Sequence, residues 1–432
     1  MTDLLKNIYS IFLRHPIITI DSRQVQPGSL FFALKGDSFN GNEFSQIALE
    51  KGARYAIVDE PEYAVDDRCI LVDNVLETLQ ALARHHREQF SIPVVAITGT
   101  NGKTTTKELA SAVLSEKYRT LATKGNLNNH IGVPLTLLGM TKDTDIALIE
   151  MGANHPGEID FLCRIARPNF GLITNIGKAH LEGFGSFEGI VRTKTELYRF
   201  LREKGGRIFL NNQDELLKEN AGNLEAITYG TTGHADLVSK TVAAGPFVHL
   251  QFQFHNGTEL AIHSKLYGRY NATNMTAAAA IGQYFGVSPA QIKTAIEAYR
   301  PENNRSQVME TRQNLLILDA YNANPSSMEA ALTTFAEADY PSKTVILGDM
   351  LELGTDADPE HQRILELAGD LGFTAIYLVG PVFTRLNTRR ENICFHDSEL
   401  ARLWLEHHKI MNSTVLIKGS RGIKLEKVVD VL

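Results

Sequence analysis

The stretch Val94-Val95-Ala96-Ile97-Thr98-Gly99-Thr100-Asn101-Gly102-Lys103-Thr104-Thr105-Thr106 constrains this chain more than any other. Its four apolar residues predict a buried parallel strand. A Gly-containing turn follows, and Lys107-Glu108-Leu109-Ala110 continues into a helix. Strand, turn and helix N-terminus gather backbone N–H groups around one point, where the helix dipole also favours an anion. Lys103 adds a charge suited to β- and γ-phosphates, and the Thr104 hydroxyl is placed to ligate Mg²⁺. The longer phosphate-loop pattern wants a Gly where this chain has Ile97, so only the short form Gly-x-x-Gly-Lys-Thr is present. A chance strand–turn–helix is the weaker reading, because Gly99, Gly102, Lys103 and Thr104 fall in the order phosphate binding requires.

At 432 residues, 43% hydrophobic and 22% charged, the chain has ample length for two or three buried cores. Apolar runs and turns divide it into residues 1–85, 86–300 and 301–432. The expected fold class is α/β with three domains: a small N-terminal α/β module, a central phosphate-loop domain built on a parallel sheet with a β extension, and a C-terminal α/β domain. A net charge of −7 argues against a nucleic-acid partner. No apolar run approaches the ~18 residues of a membrane span, and Met1-Thr2-Asp3-Leu4-Leu5-Lys6 lacks the pattern of a signal peptide. Cys69, Cys163 and Cys394 are isolated, as thiols of a reducing compartment would be. A cytoplasmic location without membrane insertion is therefore expected.

In an open α/β sheet the C-terminal strand ends converge on the ligand crevice. Glu150 ends one predicted strand and His180 follows another, at 170–176, so both are expected beside the phosphate loop. A carboxylate and an imidazole there suit a divalent cation. The helix predicted over 187–204 carries Arg192, Lys194 and Glu196, which on spacing alone form a solvated face. Residues 227–267 alternate apolar and polar, predicting a β-hairpin extension rather than further βαβ units. From about residue 301 strands are expected at 314–320, 344–348, 375–379, 392–395 and 414–418. The polar segments after the first, second and last of these should line one edge. Near the N-terminus, Ser22, Arg23 and Lys35 at strand ends are equally a grip for phosphate or sugar and ordinary solvated charges. These residues describe a user of nucleoside triphosphate and Mg²⁺, and a kinase, an acyl-phosphate ligase and a nucleotide-driven switch all stay open.

Taken together the motifs resemble the Mur ligase family, the ATP-dependent amide-forming enzymes of peptidoglycan synthesis, over essentially the whole chain. The short loop Thr98–Thr105 is similar to the family's own, shared with folylpolyglutamate synthases. More specific are Asn126-Leu127-Asn128-Asn129-His130-Ile131-Gly132-Val133-Pro134, Glu150-Met151-Gly152-Ala153-Asn154-His155-Pro156-Gly157-Glu158 and His180-Leu181-Glu182-Gly183-Phe184-Gly185. With Asp319-Ala320-Tyr321-Asn322-Ala323-Asn324-Pro325 and Gly348-Asp349-Met350-Leu351-Glu352-Leu353-Gly354, they are similar to the branch that adds D-alanyl-D-alanine to a UDP-N-acetylmuramoyl tripeptide.

The resemblance implies a uridine-nucleotide module at Ser22, Arg23, Lys35 and Gly36, and a Rossmann-like C-terminal domain. ATP would lie against Gly99, Thr100, Asn101, Gly102, Lys103, Thr104 and Thr105, with Asn271 and Asn274 facing the adenine and Arg305 and Asp319 reaching the nucleotide. Thr104, Glu150 and His180 would hold two Mg²⁺, and Lys194 matches a lysine that is carbamylated in several relatives. Lys103, His180 and Lys194 would be catalytic. Asn128, Asn129, Asn322, Asn324, Lys418, Ser420 and Arg421 would contact the substrates, of which Asn322, Asn324 and the Lys418–Arg421 loop lie near the dipeptide. A monomer is expected. Asn303-Asn304-Arg305-Ser306 departs from the Gly-Arg more usual in the family at this point.

Overall fold

The computed structural model describes residues 2–231, 234–243, 245, 247–302 and 304–432. Met1, Asn303 and four positions inside the alternating 227–267 segment lie outside the described residues. Among the described residues three sheets organise the chain, together with a two-stranded hairpin of Lys35–Gly36 and Phe39–Asn40.

The central sheet has nine strands, and Val94–Thr98, third from one edge with neighbours on both sides, is buried at every residue. Strand geometry alternates its side chains, so Val94 and Ala96 enter one apolar cluster and Val95 and Ile97 the other. Each fully buried Val or Ile contributes roughly 1.5–3 kcal/mol. Parallel neighbours Ile146–Glu150 and Phe170–Ile173 flank it, which brings Glu150 and the residues after Ile173 to the same end as the loop. The helix Lys103–Ser115 buries Leu109, Ala110, Val113 and Leu114 and packs on the Ala-rich helix Asn271–Tyr284. Small side chains make that approach close: a Cβ on Gly282 would stand 2.3 Å from Val113 Cγ1. The contact fixes Asn271 and Asn274 beside the phosphate loop.

Two expectations are corrected here. Residues Glu225–Gly230 pair in parallel with Arg207–Asn211 across the helix Glu215–Ala221, so the alternation beginning at 227 starts inside one more βαβ unit. Among the described residues Leu237–Ala243, Phe247–Phe254 and Glu259–Tyr267 form the antiparallel extension. The single helix predicted over 187–204 is two, Phe187–Lys194 and Glu196–Lys204. The Thr195 hydroxyl at the junction donates to Val191 O at 2.8 Å, a back-bond of the kind that bends helices. Lys194 and Glu196 are buried, at 3% and 6% exposure, so neither belongs to a solvated face.

The C-terminal sheet orders its strands Gln307–Glu310, Leu315–Asp319, Thr414–Lys418, Lys343–Gly348, Ala375–Val379 and Ile393–Phe395. All but the first are parallel. Apolar clusters cover both faces. Asp319 and Lys418 therefore end adjacent strands, and the N-terminus of the helix Pro325–Glu337 lies beside them. In the N-terminal part Ile18–Thr19, Leu30–Phe32, Tyr55–Val58 and Cys69–Leu71 form a four-stranded parallel sheet.

Candidate active site

A cavity of about 850 Å³ opens where the phosphate loop, the ends of Ile146–Glu150 and Phe170–Ile173, and the C-terminal sheet edge meet. Gly102 caps the loop's helix with φ 79°, and a Cβ there would sit 2.5 Å from Asn274 Oδ1. Gly99 is as constrained, at φ 139° with its Cβ position 2.1 Å from Thr174 Oγ1. Both glycines are required by conformation and by space. Gly102→Ala is expected to cost about 1–3 kcal/mol of stability and to raise KM for ATP, measured by thermal unfolding and nucleotide titration; an unchanged KM would argue against a close-packed loop.

The loop is tied to its neighbours by side chains from the next strand. Asn175 Oδ1 accepts from Asn101 N at 3.0 Å, Asn175 Nδ2 donates to Asn101 O at 2.9 Å, and the Thr174 hydroxyl donates to Asn101 O at 2.6 Å. Lys103 Nζ folds back onto Gly99 O at 2.8 Å and Thr100 O at 3.0 Å. Desolvation lowers its pKa to about 8; Glu150 opposes the shift and Arg305 adds to it. An arriving polyphosphate would favour its charged form further.

Glu150 is 1% exposed. Its Oε1 accepts from the Thr104 hydroxyl at 3.1 Å and from Asn128 Nδ2 at 2.8 Å. Its Oε2 is buried without a hydrogen-bond partner. A buried carboxylate oxygen left unpaired is costly, and beside a phosphate loop it fits a cation. Among the described residues no group of three or more His, Cys, Asp or Glu forms a self-sufficient metal cage. Such a cation would need further ligands from the substrates.

The C-terminal domain closes the cavity. Asn324 Nδ2 donates to Asn101 Oδ1 at 2.8 Å, and Asn101 Nδ2 donates to Ser326 Oγ at 3.0 Å. Lys178 pairs with Glu360 at 2.9 Å, and His180 Nδ1 pairs with Glu352. Phosphate-loop residues thus touch the segment Asp319–Pro325 directly.

Three family models match this chain: the Mur ligase family catalytic domain over residues 16–87, the Mur ligase middle domain over 97–282, and the Mur ligase glutamate ligase domain over 304–421. The UDP-N-acetylmuramoyl-tripeptide–D-alanyl-D-alanine ligase of Bacillus subtilis is 35% identical, covering 95% of this chain and 92% of that protein. The chain belongs to the Mur ligase family. The enzyme of the same description from Escherichia coli is 34% identical, over 96% of this chain and 93% of its own. Among solved structures, MurF from Acinetobacter baumannii superposes with a TM-score of 0.85 at 32% identity, covering 96% of this chain and 92% of that one. The MurF ligase of Thermotoga maritima in complex with ADP also gives 0.85, at 27% identity, covering 100% and 98%.

In this Mur ligase the cavity collects candidate residues from eight separate stretches of the sequence. Thr100 to Thr105, Asn128 and Asn129, Glu150 and His180, Asn271 and Asn274, and the group Arg305, Asp319, Asn322, Asn324, Lys418 and Arg421 all line it. Several are already engaged within the protein. Asn274 Nδ2 donates to Asn271 Oδ1 at 2.8 Å, Asn129 Oδ1 caps the N–H groups of Ile131 and Gly132, and Lys418 Nζ holds Asp319 Oδ2 at 2.5 Å. Ser420 does not line the cavity; its hydroxyl accepts from Leu351 N and donates to Ala323 O. Lys194 lies behind the lining, with its Nζ 3.4 Å from Ala153 O and over the Phe184 ring.

The N-terminal candidates stand apart from this cavity. Arg23 is exposed and bonded to Asp21, while Lys35 pairs with Asp59 at 3.0 Å and Glu60 at 2.8 Å. Gly36 pairs with Phe39 in the short hairpin, and the Ser22 carbonyl accepts from Lys51. Asn175, Glu352 and Glu360 carry no role in the sequence reading. Their partners are 74, 172 and 182 residues away, and nothing local marks such pairs.

Proposed function

We propose that this chain joins D-alanyl-D-alanine to a UDP-N-acetylmuramoyl tripeptide with ATP as the energy source, making the pentapeptide precursor of peptidoglycan. The single observation that carries this reading is the contact of the phosphate loop with the Tyr321-Asn322-Ala323-Asn324 segment inside one cavity. The relatives named above, matched along nearly their full length, support it.

The terminal carboxylate of the tripeptide attacks the γ-phosphorus of ATP, giving an acyl phosphate and ADP. The dipeptide amine then attacks the acyl carbon, and the tetrahedral species collapses with loss of phosphate. Little covalent chemistry falls to the protein, which positions the reactants and neutralises charge. Lys103 holds the β- and γ-phosphates. Asn271 and Asn274 face the adenine, and Asp319 fixes Lys418 at the dipeptide side with Asn322 and Asn324. Asn128 orients Glu150. Thr104 would serve a first Mg²⁺ at the γ-phosphate, and Glu150, whose Oε2 is unpaired, would serve a second together with His180. Two bound Mg²⁺ would neutralise phosphate and carboxylate oxygens as they approach. Ser22, Arg23, Lys35 and Gly36 are assigned to the uridine nucleotide. Lys194, with its pKa lowered to about 7 by burial and then by Lys103, is the site of carbamylation.

No helix among the described residues is long and apolar enough to cross a membrane, and we assign the enzyme to the cytoplasm as a monomer. The test is phosphate release with ATP and UDP-N-acetylmuramoyl tripeptide, with and without D-alanyl-D-alanine, followed by product mass. Sustained release that needs the dipeptide, with an amide product, is expected. A phosphorylated end product would make the chain a kinase, and turnover that needs glutamate and folate would make it a folate-type ligase.

A further inference from the structure

Two guanidiniums enter the cavity over one aromatic ring. Arg305 Cζ lies 3.6 Å from the Tyr321 ring centroid and Arg421 Cζ lies 5.1 Å from it. All three residues line the cavity. Among the described residues neither arginine has a carboxylate partner within ion-pair distance. Arg305 also lies close enough to Lys103 to push the lysine toward its neutral form. Unpaired cations held together over a ring face are suited to a shared polyanion rather than to a protein acid.

The backbone around Arg305 is held as tightly as its side chain. Asn304 and Ser306, on either side, have φ of 58° and 50°, a region non-Gly residues seldom occupy. Three bonds maintain it: Ser306 N donates to Asp319 Oδ1 at 3.1 Å, Tyr321 N donates to Asn304 O at 3.2 Å, and Tyr270 Oη shares a hydrogen bond with Ser306 Oγ at 2.8 Å. Strain retained at a cavity wall is a common sign of preorganisation. The connection between the central and C-terminal sheets thus presents one arginine, the last strand's loop presents another, and Tyr321 is the surface they share.

We propose that Tyr321 is a positioning residue whose ring orders the Arg305 and Arg421 guanidiniums as a pair for the phosphoryl group in transfer. This rests on the ligase reading above. The ring acts by stacking, so its hydroxyl is dispensable. The charge acts through a plane, so lysine is a poor substitute for arginine at 305.

The test measures phosphate release and amide product with the full chain, ATP, UDP-N-acetylmuramoyl tripeptide and D-alanyl-D-alanine. Tyr321→Leu is expected to lower kcat on the order of 10-fold while leaving KM for D-alanyl-D-alanine nearly unchanged. Tyr321→Phe recovers most of that loss. Combining Tyr321→Leu with Arg305→Ala should lose clearly less than the product of the two single losses, because both remove one device. Equal damage from Phe and Leu, a loss carried by the dipeptide KM, or fully multiplicative losses would each overturn the proposal. Should Tyr321→Leu not fold, Arg305→Lys decides: it keeps the charge without the planar stack, and wild-type turnover in it would reject the stacking role. A wild-type enzyme that forms no amide from these substrates would instead reject the ligase reading itself.

Discussion

Lys103→Ala is expected to reduce turnover by at least about 10³-fold while leaving the fold intact, the range seen when one preorganised charge is removed from a developing phosphoryl transition state. The second half of that expectation follows from the contacts of Lys103. Among the described residues its ammonium donates only to two carbonyls of its own loop, Gly99 O and Thr100 O. Burial already holds its pKa down to about 8, so the folded protein disfavours this charge. Between about pH 8 and the ordinary lysine value the unfolded chain binds the extra proton, and wild-type stability rises with pH across that window. Alanine removes both the penalty and its pH dependence. Thermal unfolding near neutral pH should therefore show an unchanged or slightly raised midpoint in Lys103→Ala, while the phosphate-release assay shows no activity above background. Wild-type-like turnover would sink the phosphate-loop assignment. A collapsed midpoint would mean that the lysine is structural.

The framework around that lysine was legible because it is written locally. Val94–Thr98 is an uninterrupted apolar run, Gly99 and Gly102 mark positions where no Cβ fits, and Lys103 begins the helix. The five parallel C-terminal strands were legible for the same reason, since each is a short apolar run closed by turn residues. The sixth strand, Gln307–Glu310, is an antiparallel edge without a fully buried residue, so no apolar run announces it. Lys194 shows the opposite limit. On one continuous helix its spacing places it with Arg192 and Glu196 among polar residues. Its burial comes from the Ala153 loop and the Phe184 ring, and Glu196 turns inward to accept from Gly157 N and Asp160 N at 2.9 Å each. Periodicity reports which residues share a face, but what covers that face is set by remote chain. The pairs Asn101–Asn324 and His180–Glu352 join separate domains and lie beyond any local reading.

Lys194→Ala should be inactive and partly restored by short carboxylic acids such as acetate or propionate. The reasoning starts from the amine. An ordinary lysine, with a pKa near ~10.4, is almost wholly protonated at pH 7, and only the neutral amine reacts with CO₂. Burial, with Lys103 adding its charge, lowers Lys194 to about 7, so a large share is neutral under working conditions. The neutral amine and CO₂ would give a carbamate and one proton; counted from the protonated lysine two protons leave, so a buried cation would become an anion near Lys103. Below about pH 7 the amine protonates, carbamate is lost, and activity should fall as pH drops. Isotope-labelled bicarbonate should give a carbamate carbon signal in the wild type that is missing from Lys194→Ala. In the variant the shortened side chain leaves room for a small carboxylate in place of the carbamate, so activity should rise with acetate concentration and saturate. Full activity of the plain variant would reject a catalytic role for Lys194. An inactive variant that no carboxylate rescues, alongside a wild type without the carbamate signal, would leave Lys194 as a packing residue and reject the modification.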